Sequence, residues 1–244
     1  MDRAPELAAV RVTGLVKRFG RREALAGVDL EVAPGEAFGL VGANGAGKTT
    51  LLKCLLDFCD FDAGHIEIFG APSREARSRA ELAYVPERFL PPYYLRGREF
   101  LELTVRLAGG AYREDAARAL LEELELEAEA LERPARELSK GMTQKLGLAG
   151  GFLLERELTV LDEPMSGLDP AARVAVKNVL GRLHREGRTL LFTSHVLADV
   201  AEACTGILVL ERGRARFRGA PAELCARYDE PNLERAFLRC VHGD

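Results

Sequence analysis

The run Gly42-Ala43-Asn44-Gly45-Ala46-Gly47-Lys48-Thr49-Thr50 has the residue types and spacing of a phosphate cradle. Its glycines let the backbone curl so that successive N–H groups point inward. Lys48 supplies a full positive charge for outer phosphates, and the Thr49 hydroxyl is a hard oxygen ligand for Mg²⁺. A second set of candidates is the carboxylate pair Asp162-Glu163, which ends an apolar run. Adjacent side chains on a strand diverge, so the two can hold different roles. Asp162 suits a metal, and Glu163 can polarise a water. A third is His195, able to donate to a terminal phosphate.

These groups need elements that bring them together. Ala37-Phe38-Gly39-Leu40-Val41 is an apolar run with the length of a buried strand, and Leu51, Leu52, Leu55 and Leu56 fall on one side of a helix. The cradle therefore sits between strand and helix, where the helix N-terminus adds partial positive charge. Leu158 to Leu161 is a buried-strand run ending at Asp162, and Thr189 to Thr193 is another ending at Ser194-His195. Charged groups at the C-terminal ends of buried strands lie where open α/β sheets bind ligands.

Between Val10 and Val32 the chain alternates, with Val28, Leu30 and Val32 on one face, which predicts antiparallel strands near the N-terminus. Phe19 lies between them in a basic turn. It is either an aromatic plate for a nucleobase or a core residue at a strand end. His65 to Gly70 and Leu82 to Val85 read as further strands, and Ile207 to Leu210 leads through a turn at Glu211-Arg212-Gly213-Arg214 into a hairpin.

The stretch Phe89-Leu90-Pro91-Pro92-Tyr93-Tyr94-Leu95 suits neither a helix nor a central strand. It is either folded under its neighbours or a docking surface. A helical pattern runs from Glu99 to about Glu132, with Leu120, Leu121 and Leu124 on one face and an acidic, solvated surface around it. No strand signal appears between about 87 and 156, which predicts a helical insertion into an α/β core. Ser139 opens the next helix, as a simple N-cap or as a second phosphate-binding helix end. Ser166-Gly167-Leu168-Asp169-Pro170 turns into a helix running to about Arg185, and the tail from Pro221 reads as helical.

The 244 residues suffice for one large domain with a substantial core. A net charge of −4 predicts no global attraction to nucleic acid or to an anionic membrane. No apolar run approaches the roughly 20 residues that cross a bilayer. Met1 to Glu6 lacks the basic and apolar regions of a signal peptide, which predicts a cytosolic chain unless a partner holds it at a membrane. The five cysteines form no C-x-x-C pair, and an odd number argues against a disulfide framework. Of the four histidines, His65, His184 and His242 read as surface residues.

Taken in order, these motifs resemble the nucleotide-binding subunit of ATP-binding cassette transporters over nearly the whole chain. The matches are Phe19, Gly42 to Thr50, the loop after Pro86, a signature at Leu138-Ser139-Lys140-Gly141-Met142, the strand end at Asp162-Glu163, the loop Ser166 to Asp169, and His195. The signature, the run Asp162 to Asp169 and Asn232-Leu233-Glu234-Arg235-Ala236-Phe237 look most like the branch serving export-type permeases.

The resemblance implies a P-loop NTPase α/β core over 1–86 and 157–244, with an antiparallel β-subdomain near its N-terminus and a helical signature subdomain inserted at 87–156. It implies ATP and Mg²⁺ as ligands, with Lys48, Glu163 and His195 catalytic, and Phe19 and Gly42 to Thr50 binding nucleotide together with Glu87 and Asp169. Thr49, Asp162 and Glu87 would hold the metal. Ser139 and Gly141 would meet the ATP of a sister copy in a head-to-tail dimer. The partner beyond that dimer would be a multi-span membrane permease, placing the chain peripherally on the cytoplasmic side of the membrane with no nucleic acid bound. The rival is a soluble cassette ATPase remodelling a ribosome or DNA; such relatives usually carry two cassettes or a long coiled-coil insertion, and this chain shows one motif set.

Three departures from the family pattern stand out. Glu87 replaces a usual glutamine, so an ionised side chain there accepts but does not donate. Lys140 and Met142 replace a glycine and a glutamine in the signature. Phe19 keeps the π-face of the usual tyrosine without its hydroxyl.

Overall fold

A computed structural model describes residues 7–243; the expectations about Met1 to Glu6 lie outside the described residues. The N-terminal alternation forms β1 (Val10–Phe19) and β2 (Arg22–Val32), paired antiparallel across Gly20-Arg21. After β3 (Ala37–Val41) and α1 (Lys48–Leu55) come β4 (Ala63–Ile68) and the short β5 (Ala71–Pro72). β1, β2, β4 and β5 make a four-stranded antiparallel sheet in the order β2-β1-β4-β5, and β3 belongs to a second sheet. Val28, Leu30 and Val32 are buried on the face the alternation predicts.

β6 (Leu82–Val85) is an edge strand of the second sheet, and the chain then turns helical. α2 (Gly97–Leu107), α3 (Glu114–Glu123) and α4 (Lys140–Phe152) precede β7 (Leu158–Leu161). The helix expected to run from Glu99 to Glu132 is interrupted. The Gly109-Gly110 pair closes α2 after Leu107, since glycine readily takes the left-handed C-terminal cap. Beyond α3 only short 3₁₀ turns follow, at Ala128–Leu131 and Ala135–Glu137. Leu120, Leu121 and Leu124 are buried as the pattern required, and Glu122, Glu123, Glu127 and Glu129 are exposed.

The chain continues through α5 (Pro170–Arg185), β8 (Thr189–Ser194), α6 (Leu197–Ala203), β9 (Gly206–Glu211), β10 (Arg214–Gly219), α7 (Pro221–Tyr228) and α8 (Leu233–His242). The second sheet has six strands in the order β10-β9-β3-β8-β7-β6, parallel except for the β9–β10 hairpin. β3, β7 and β8 are buried along their whole length, as unbroken apolar strands in a doubly covered parallel sheet must be. Register is what positions the site. Val41 lies opposite Ser194, Leu161 opposite Phe192, and Val85 opposite Leu161, so the ends of β3, β8, β7 and β6 open at one edge.

His184 departs from the expected surface placement. It is half-buried on α5, and its Nδ1 is buried without a hydrogen-bond partner. Cys54 is a core residue, and burial pushes its thiol up to about 12.

Candidate functional site

Four loops leave that edge side by side, and they line a cleft of about 370 Å³. The loop after β3 supplies Ala43 to Thr50, the loop after β6 supplies Glu87, and the ends of β7 and β8 supply Glu163 and His195. From the antiparallel sheet come Phe19, Arg22 and Ala24. Gly42 lies at the base of the first loop, where a Cβ would come within 2.4 Å of the Leu210 carbonyl oxygen, so only glycine lets that loop cross the sheet.

Lys48 is 7% exposed, and its Nζ donates to the Gly42 carbonyl at 2.6 Å. The same nitrogen lies 3.7 Å from Glu163 Oε1. Burial holds the Lys48 ammonium below the ordinary lysine value, opposed by the negative charges of Glu163, Asp162 and Glu87. The other Glu163 oxygen, Oε2, lies 2.8 Å from His195 Nδ1. A carboxylate only accepts, so that ring nitrogen carries the proton and the imidazole is fixed in orientation. Lys48, Glu163 and His195 thus form one connected row drawn from three neighbouring strand ends.

Glu163 reaches this position by an unusual backbone. Its φ is 48°, in the left-handed region, which costs a non-glycine residue roughly 1 kcal/mol. Thr193 holds the turn: its hydroxyl accepts from Glu163 N at 2.8 Å and donates to Asp162 Oδ1 at 2.6 Å. One buried hydroxyl on β8 therefore orients both acids at the end of β7. Asp162 is 4% exposed and sits beneath the cleft rather than on its wall. Burial, and then the nearby charges of Asp162 and Glu87, push Tyr84 on β6 up to about 12.

Phe19 is 53% exposed at the end of β1, with Lys17 Nζ 4.9 Å from its ring centre. Of its two readings, the core placement is excluded. Ser139, Gly141 and Asp169 are not brought into this cleft. Ser139 is exposed at the N-terminus of α4, where its hydroxyl accepts from Met142 N at 3.2 Å. Gly141 is half-buried two residues further on, beside Leu168. Asp169 caps α5, accepting from Ala172 N at 2.9 Å, and that N–H lowers its carboxyl below the usual range. Asp199 on α6, 5% exposed, pairs with Arg173 of α5 and lies 3.8 Å from Lys177, tying the helix after His195 to the helix after Asp169.

Sequence reasoning missed Arg22 and Thr193. A two-residue turn after Phe19 places Arg22 directly across from it, and a threonine inside a buried apolar run one residue before Ser194-His195 was a visible sign of a polar task.

The residues that would hold Mg²⁺ fit it by chemistry. Thr49 offers a hydroxyl on the cleft wall, and the buried Asp162 offers a hard carboxylate oxygen already oriented by Thr193. Among the described residues no group of three or more His, Cys, Asp or Glu side chains forms a cage for a metal.

The ABC transporter family model matches residues 25–166. An uncharacterized ABC transporter ATP-binding protein of Synechocystis sp. is 37% identical over 205 residues, covering 83% of this chain and 58% of that protein. The Nod factor export ATP-binding protein I of Paraburkholderia xenovorans is 38% identical over 225 residues, covering 90% and 73%. The chain thus spans about three fifths of the length of the first of these relatives. A solved structure of an ATP-binding subunit of an ABC transporter superposes with a TM-score of 0.84 at 28% identity, covering 96% of this chain and 99% of that one.

Proposed function

The chain belongs to the ABC transporter family, and from that premise we propose that it is the ATP-binding and ATP-hydrolysing subunit of a membrane transporter of the export type, working as a head-to-tail dimer. The observation that carries the reading is the row Lys48–Glu163–His195 at the mouth of the glycine-rich loop, with contacts of 3.7 and 2.8 Å. The resemblance to a Nod factor export subunit supports the direction of transport.

In this reading Phe19 stacks on the base, and the N–H groups of Asn44 to Thr49 surround the outer phosphates. Lys48 turns from the Gly42 carbonyl to the phosphate oxygens. Thr49, Asp162 and Glu87 would hold Mg²⁺, which would supply positive charge against the phosphates. Glu163 orients the attacking water and takes its proton. His195, anchored through Nδ1, turns its other nitrogen to the terminal phosphate and donates there as the imidazolium, in which both ring nitrogens carry protons. The left-handed turn at Glu163 keeps its carboxylate aimed without further reorganisation.

Ser139 and Gly141 stand exposed or half-buried at a helix end that does not line this chain's own cleft. A triphosphate gains them only from a sister copy, which makes nucleotide the link between two chains. Exposed Leu90, Tyr93 and Tyr94, beside the half-buried Phe89 and Leu95, offer the membrane partner an apolar face next to Glu87. Among the described residues no helix is long and apolar enough to cross a membrane, so the permease would supply the membrane contact, on its cytoplasmic side.

The test is Glu163→Gln, which keeps shape and removes the charge. Turnover should fall at least a hundredfold while ATP, but not ADP, doubles the mass seen by light scattering. Ordinary turnover by this variant removes Glu163 from its role, and a wild-type chain that binds no ATP with Mg²⁺ sinks the reading altogether.

A further inference from the structure

We propose that Arg22 is a nucleotide-binding residue of this cleft, its guanidinium taking the α-phosphate between the Phe19 ring and the glycine-rich loop. The inference rests on the nucleotide reading above and assigns a contact that no sequence motif marks.

Three observations place Arg22 there. It is the cross-strand partner of Phe19 in the β1–β2 ladder, so the two side chains share one end of that ribbon. Its Nη2 lies 3.6 Å from where a Cβ on Gly45 would stand, at the tip of the loop. It lines the cleft with Phe19 and Lys48. A group spanning ring and loop tip faces the part of a nucleotide between its base and its outer phosphates.

Charge explains why a cation is wanted at that point. Glu87, Asp162 and Glu163 all act on Lys48, so three carboxylates share the site with one buried ammonium. A polyphosphate entering such a site meets repulsion that helix-end partial charges offset only in part. Two neighbouring arginines are already engaged with an acid, and Lys17 lies over the Phe19 ring. Arg18 donates to Glu23 at 3.0 Å, and Arg214 lies 4.0 Å from that same acid. Among the described residues Arg22 has no carboxylate partner, so its charge faces the cleft uncompensated. A guanidinium suits the task, because its planar fork matches two oxygens of one phosphate.

The test is competition of ADP, AMP and adenosine against a fluorescent ADP derivative, with Mg²⁺ present. Arg22→Ala should weaken ADP and AMP by the same factor, roughly five- to twentyfold, and leave adenosine unchanged. Arg22→Lys should recover part of the loss, as a point charge without the fork. Arg21→Ala removes the same charge one residue away, outside the cleft lining, and should change ADP affinity less than twofold. Equal losses in Arg21→Ala and Arg22→Ala would reduce the effect to overall charge and overturn the proposal. So would a loss for ADP without one for AMP, which would move the contact to the outer phosphates. A wild-type chain that fails to bind the ADP derivative rejects the nucleotide reading itself, a result distinct from either.

Discussion

Lys48 is the residue on which burial and charge pull hardest in opposite directions. Burial lowers its pKa below the ordinary 10.5, and the three acids oppose the shift without cancelling it. The unfolded chain, with an ordinary lysine, therefore binds more protons between the two values. This group's contribution to stability rises with pH across that window. Nucleotide reverses the preference, because phosphate oxygens favour the ammonium. ADP affinity should thus fall as pH rises through the alkaline range, beginning below 10.5. Lys48→Met should bind weakly and lose this pH dependence; an unchanged profile would assign it to another group. At Glu87 the expectation is smaller. Glu87→Gln should leave ATPase within several-fold, because either side chain offers an oxygen to the metal or its water. Complete loss of activity would show that the negative charge itself is required.

At the scale of elements, α4 links the signature to the cleft. It carries Ser139 at its start, and Gln144 Nε2 donates to the Pro164 carbonyl at 3.3 Å, joining the helix to the turn after Glu163. Its glycines weaken it as an isolated helix by about 1 kcal/mol each, and close packing is the reason they are tolerated. A Cβ on Gly151 would come within 2.4 Å of Val85 Cγ2, at the end of the strand leading to Glu87. Gly151→Ala should therefore lower stability by about 1–2 kcal/mol despite its better helix propensity. Gly181→Ala on α5 is the contrast. There the new methyl meets only the flexible Arg185 at 3.4 Å, so the change should be neutral or stabilising by up to about 1 kcal/mol. Urea midpoints of the two variants decide the matter. Equal shifts would mean that the close approach of α4 to β6 carries no energetic weight.

For the whole molecule, the separation of Ser139 from its own chain's cleft predicts complementation. Lys48→Met removes one half of a composite site and Ser139→Arg blocks the other. Each alone should be inactive, while a mixture contains dimers with one intact site and should regain up to roughly a quarter of normal turnover by random pairing. Full activity of Ser139→Arg alone would mean that each chain completes its own site.

Much of this was readable along the chain because the signals were local. Strand, glycine turn and helix around Lys48 form one continuous stretch, Ser139 and Asp169 cap helices a few residues away, and β7 and β8 are unbroken apolar runs. The break after Leu107 was missed because a leucine-and-glutamate pattern masked a glycine pair. Tertiary structure alone decided what depends on strand order. Only the sequence β3-β8-β7-β6 sets Thr193 beside Asp162 and Glu163, and His195 beside Glu163, across 30 or more residues of chain. Only the pairing of two sheets brings Phe19 and Arg22 to the loop at Gly45. A one-dimensional pattern records which side chains face the core, whereas the meeting of distant polar groups is fixed by register, which no single segment contains.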